Sequence, residues 1–284
     1  MRTTESSLLH APDGTPLAIY DWPLAPGQQQ RATVLIVHGM GEHAGRYVGL
    51  AQRLNGWGYA VRAYDQYGHG RSGGPRGGLS HDGRLQQDLA LVLDATRASM
   101  PAMQPLVLLG HSMGGLVAAD FVASGLRPVE GLVLSSPALA LHLSGLQKAL
   151  LASLPRLLPN LRVSNGVDSR KLSHDPAVAK AYDSDPLQHR HISARMARYL
   201  AQGGAHVLAQ APAWRVPTLL LWAGADSLVD PAGSAALARQ APQAVLQAQC
   251  FEQAFHEIFN ESEALVAPVF ARLQQWLGQQ FPVS

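Results

Sequence analysis

The chain has 284 residues, 47% hydrophobic and 15% charged, with a formal net charge of +2. That length supports one large α/β core, and the small charge excess argues against a nucleic-acid partner. The single cysteine, Cys250, excludes an internal disulfide, and no run reaches the ~18 apolar residues of a membrane helix.

MRTTESSLLHAPDGTP contains no apolar leader core, so a cytoplasmic protein is expected. Residues 7–10 and 17–22 flank the turn PDGTP and predict a hairpin at a sheet edge. TVLIVHG, 33–39, is a buried strand ending in glycine. A helix is predicted over 47–56 and a strand over 59–63, followed by the glycine-rich loop YDQYGHGRSGGPRGG. Leu85, Leu89, Val92 and Leu93 give 85–100 a helical period. The apolar run 106–109 reads as a buried parallel strand, and 116–121 as a helix. EGLVLSSPA, VPTLLLWAGAD and AVLQAQCF supply three more strands, and 262–279 the last helix. Strands alternating with helices imply a mostly parallel, doubly wound sheet.

Residues 138–212 break this rhythm, with helical patches, Pro155 and Pro159, and no clear strand. They predict a helical cap over the sheet's C-terminal edge, leaving 1–137 and 213–284 as the core. Leu143, Leu146, Leu150, Leu154, Leu157 and Leu161 recur at near-helical spacing, and 142–215 hold ten Lys/Arg against four Asp/Glu. The stripe reads as core packing or as a surface making transient contact with a membrane or micelle. The excess of cations reads as a solvated basic face or as attraction to anionic headgroups.

Gly110-His111-Ser112-Met113-Gly114 joins a strand to a helix within a few residues. So tight a turn crowds the positions two before and two after its apex, and glycine relieves both. The apex serine is then strained, with its oxygen exposed: the nucleophile elbow G-x-S-x-G. A serine hydroxyl needs a base, and the base needs an orienting carboxylate. In a doubly wound hydrolase sheet they follow in the order Ser, Asp or Glu, His. His256, in FEQAFHEIFNE, is the histidine that fits this order. LLLWAGADSLVDP offers Asp226 and Asp230. Asp230 precedes Pro231 and reads as a helix N-cap, which leaves Asp226 for His256. Asp168, Asp175, Asp183 and Asp185 remain open alternatives within the insertion. Donors for an oxyanion are sought at the Met113 N–H, after the nucleophile, and at the Met40 N–H in His38-Gly39-Met40-Gly41. His38, His43, His69 and Asp65 lack the spacing of a metal motif, and the glycine-rich loop lacks GxxxxGK[ST]. The expected chemistry therefore needs no metal and no cofactor.

VLIVHGMGEHAGRY, YDQYGHGRSGG, LLGHSMGG, the DPL of AYDSDPLQHR, GADSLVD and FHEIFNE run in order along nearly the whole chain. In them the chain resembles the α/β-hydrolase superfamily, within it the monoacylglycerol lipase and lysophospholipase-like group, which shades into proteins labelled serine aminopeptidases. The resemblance implies Ser112 as nucleophile, Asp226 as acid, His256 as base and the Met40 and Met113 amides as oxyanion hole. It also implies that 138–212 shape an acyl pocket for a single-chain lipid ester. An amidase or peptidase using the same groups, and a non-catalytic binding protein on this fold, are the competing readings.

Overall fold

The computed structural model describes residues 6–143, 145, 151 and 157–282. Ten strands are present among them: β1 (Ser6–His10), β2 (Pro16–Trp22), β3 (Ala32–Val37), β4 (Tyr59–Tyr64), β5 (Leu106–His111), β6 (Gly131–Ser135), β7 (Arg162–Ser164), β8 (His191–Ser193), β9 (Thr218–Ala223) and β10 (Leu246–Phe251). Eight of them form one sheet in the order β1-β2-β4-β3-β5-β6-β9-β10. The β1–β2 hairpin occupies one edge, antiparallel to itself and to β4, and every other neighbour pair is parallel.

The central strands are buried on both faces. In β3, Leu35 and Val37 enter one core while Val34 and Ile36 enter the other. Such strands show a continuous apolar run rather than an alternation. One face is covered by α2 (Arg84–Ser99), α3 (Met113–Ala123) and α6 (Pro231–Gln240). The other is covered by α1 (Val48–Gly56) and α7 (Glu263–Gln280), the latter through Val269, Leu273, Trp276 and Leu277. Parallel strands direct their C-terminal ends to one edge of the sheet, where the loops after β3, β5, β9 and β10 converge. The glycine-rich loop after β4 closes around its own carboxylate: Asp65 accepts from Tyr20 Oη and from the Ala44 and Arg71 amides.

The segment between β6 and β9 departs from the expectation of helices alone. It contains β7 and β8, paired antiparallel in a small second sheet, as well as α4 (Pro176–Ser184) and α5 (Ala194–Gln210). All three residues of β7 are exposed, so no buried face imposed a hydrophobic alternation on them. α5 packs on the main domain, with Met196 and Val207 in the core that α3 also enters. At Gly204 a Cβ would run into the carbonyl of Leu139, so glycine allows the close approach. Of the leucine stripe, Leu146, Leu150 and Leu154 lie outside the described residues. No helix among the described residues is long and apolar enough to cross a membrane.

Candidate active site

Ser112 stands between β5 and α3 with φ +54° and ψ −120°. Only strong tertiary restraint holds a non-glycine residue in that region. The restraint is contact between backbones. A Cβ at position 110 would strike Gly114 and Gly115, and one at 114 would strike the carbonyls of Val37 and His38. The two glycines thus let the start of α3 press against the end of β3. The Ser112 amide donates to Ser135 O at 3.0 Å, and Ser112 O accepts from the Ala138 amide at 3.0 Å, fixing the turn from the β6 side.

Ser112 Oγ lies 2.8 Å from His256 Nε2, and His256 Nδ1 lies 2.6 Å from Asp226 Oδ2. His256 and Asp226 are both buried. The other Asp226 oxygen accepts from the Leu228 and Val229 amides, which locks the carboxylate at the end of β9. Nδ1–H donates to Asp226, so the Nε2 lone pair faces the serine hydroxyl. Burial works against charge on the ring, but Asp226 outweighs it and raises the His256 pKa above 6.5. Asp226 is lowered: burial opposes its charge, and His256 with the two amides overcomes that. The adjacent His111 ring, with its centroid 4.8 Å from that of His256, is pushed down to about 4 by burial and by His256. It remains neutral beside the triad.

The other carboxylates have separate work. Asp230 caps α6 by accepting from the Ala232 amide, and Asp175 caps α4 through Ala177. Asp168 accepts from the Arg170 amide, Asp183 pairs with Ser169 and Arg190, and Asp185 pairs with His43. The helix after His256 has Ser262 at its N-cap position.

Met113 opens α3, so its N–H is among those with no intrahelical acceptor. Met40 lies in the loop after β3, where Gly41 takes φ +77°. This loop is braced from two sides. Gln66 donates its amide to His38 Nε2 and its side chain to His38 O. The Gly39 amide donates to Glu42 Oε1 at 2.5 Å. Met40, Met113, Ser112 and His256 all line one cavity of about 520 Å³. Its walls divide by polarity. Leu141, Leu143, Leu151, Val163, Leu200 and Val229 are apolar, whereas Glu42, Arg46, Glu257, Asn165 and Tyr182 are polar. The polar set was not singled out in the sequence. Its signal was present, in a Glu–Arg pair four residues apart and a glutamate immediately after His256, but nothing in a linear reading brings residues 42, 46 and 257 together.

An eight-stranded, mostly parallel sheet with a strained serine between strand and helix is the architecture of an α/β-hydrolase. The chain belongs to the Hydrolase_4 family, described as serine aminopeptidase, S33, which it matches over residues 28–263. It is 34% identical over 250 residues to a monoacylglycerol lipase of Mycolicibacterium smegmatis, covering 86% of this chain and 88% of the relative. A crystal structure of Paleococcus ferrophilus monoacylglycerol lipase superimposes with a TM-score of 0.82 at 32% identity, covering 93% of this chain and 99% of that one. A soluble variant of monoglyceride lipase from Saccharomyces cerevisiae, solved in complex with a substrate analog, gives 0.91 at 25% identity, covering 100% and 97%.

An NMR titration of the His256 ring should place its pKa above 6.5, and Asp226→Asn should lower it, because the neutral amide no longer stabilises the imidazolium. An unchanged pKa in that variant would remove Asp226 as the cause.

Proposed function

We propose that the protein is a serine hydrolase that cleaves the carboxylic ester of single-chain lipids of the monoacylglycerol type. The observation that carries this reading is the continuous Ser112–His256–Asp226 hydrogen-bonded chain opening into a cavity lined by apolar side chains and by the Glu42–Arg46–Glu257 cluster. Ser112 Oγ attacks the ester carbonyl as His256 Nε2 takes its proton, and Asp226 holds the ring and stabilises the imidazolium. The Met40 and Met113 amides receive the oxyanion. His256 then protonates the departing alcohol, and a water molecule, deprotonated by the same ring, releases the acid.

Residues 138–212 serve as the cap. Its apolar residues Leu143, Val163 and Leu200 border the space for the acyl chain. The polar wall favours a neutral headgroup. Glu42 and Glu257 provide two carboxylates against the single guanidinium of Arg46, and a phosphate placed there meets like charge.

The outer face of the insertion differs in character. Leu157, Leu158 and Leu161 are exposed, Leu157 at 77%. Together with the excess of Lys/Arg that the sequence carries over 142–215, these exposed leucines favour a lipid interface. The membrane is thus met by the outside of the cap, and the substrate headgroup by the acidic wall inside.

Ser112→Ala should reduce turnover of p-nitrophenyl esters by ~10⁴-fold or more with the fold intact by circular dichroism. Retained turnover would sink the assignment. For wild type, kcat/KM for a monoacylglycerol should exceed that for a lysophosphatidate of the same chain by roughly tenfold or more. Equal values would remove the acidic-wall argument. The protein should partition onto anionic vesicles at low salt more than onto neutral ones, and equal partitioning would discard the basic interface.

A further inference from the structure

Two motifs of the chain, GEHAGRY and FHEIFNE, meet at one guanidinium. Arg46 Nη1 donates to Glu42 Oε2 and to Glu257 Oε1, each at 2.6 Å, and Nη2 donates to Glu257 Oε2 at 2.8 Å. All three side chains are almost wholly buried. Each carboxylate holds one half of the site. Through Oε1, Glu42 accepts the Gly39 amide at 2.5 Å and the Tyr47 hydroxyl at 2.7 Å, fixing the loop that carries Met40. Glu257 follows His256 directly. It also accepts from Asn260 Nδ2, and its amide donates to Leu172 O in the inserted segment. Tyr182, from the same segment, presents its ring to the guanidinium at 5.5 Å.

We propose that Arg46 is a positioning residue whose fork ties the loop bearing the Met40 amide to the loop bearing His256, so that oxyanion donor and base hold their places as one unit. The inference rests on the roles proposed above for Met40 and His256. Its physical basis is the cost of the alternative. Without the cation, two buried carboxylates face each other in a site of low polarity and repel. Relief requires either protonation of one or separation of the loops. Catalytic geometry tolerates little of the latter, since a displacement near 1 Å costs ~10²-fold in rate. Burial alone would raise the Glu42 pKa, yet the Arg46 guanidinium holds it well below the usual carboxylate range. Glu42 is therefore charged in the working enzyme, and the guanidinium that bonds both carboxylates is the link.

Arg46 also borders the cavity, so the experiment must separate positioning from contact with the headgroup. Arg46→Met, Arg46→Lys, Glu257→Gln and the double variant Arg46→Met/Glu257→Gln are assayed on a p-nitrophenyl ester and on a monoacylglycerol of the same acyl chain. Inactivation by a fluorophosphonate is measured alongside. Arg46→Met should lower kcat ~10²-fold on both esters, with KM changed by less than about threefold, and should slow inactivation in proportion. Arg46→Lys should recover part of the loss. Glu257→Gln should move the acid limb of kcat/KM to lower pH, because it removes a negative charge that favours the imidazolium. Added to Arg46→Met, it should restore activity by relieving the repulsion. A loss confined to the monoacylglycerol would overturn the proposal in favour of headgroup contact. Simply additive losses with an unmoved acid limb would overturn it in favour of general damage. If Arg46→Met does not fold, Arg46→Lys and the Glu257→Gln acid limb decide the matter. Failure of the fluorophosphonate to label wild-type Ser112 would instead strike the functional reading beneath it.

Discussion

The backbone at the start of α3 lies against the carbonyls of Val37 and His38 so closely that position 114 has no room for a side chain. This contact brings the end of β3 and the start of α3 to the same point. It also sets the point where the turn lifts Ser112 to a positive φ of +54°. A strained φ of this kind survives because the parallel register of β3, β5 and β6 determines where the turn begins and ends. The remainder of the site is assembled around an oxygen whose position is already set.

Electrostatics then divides the site by depth. Near Ser112 the buried ionisable groups stand in contact with partners: Asp226 with His256, and Glu42 and Glu257 around the single Arg46 guanidinium. His111, beside them, is kept neutral by burial. This arrangement suits a reaction in which positive charge appears on one imidazole and negative charge on one oxygen, with no other group ready to exchange protons. The inserted segment takes part in the same pairing. It presents the Tyr182 ring to the guanidinium and Leu172 O to the Glu257 amide, so the inserted segment is connected to the loop carrying His256.

The long, regular elements were legible in the sequence for plain reasons. β5 is buried along its whole length and reads as an unbroken apolar run, and α2 shows the helical period of a helix with one side buried. The pattern Gly110-x-Ser112-x-Gly114 marked the elbow because steric exclusion at two fixed offsets leaves a compositional trace. Asp230 was separable from Asp226 because a helix N-cap before proline is a local signal, and its side chain does accept the Ala232 amide. The β7–β8 pair left no such trace. Strands of three residues, those of β7 all exposed and held by hydrogen bonds to a partner nearly thirty positions away, impose no pattern of hydrophobicity. The Glu42–Arg46–Glu257 fork was hidden for a similar reason. Its members were visible as charged residues, but charged residues are ordinarily solvated, and burial is a property of the fold.

The sequence by itself determined the α/β-hydrolase class, the turn at Ser112 and the chain order that nominates Asp226 and His256, because each depends on local sterics or on element alternation. Only the tertiary structure decided that His256 Nε2 lies 2.8 Å from Ser112 Oγ, and that one guanidinium joins residues 42 and 257 at the cavity wall. Those features depend on distances between segments as much as 211 residues apart. Such distances follow from how the sheet packs its helices, and no local run of side chains encodes them.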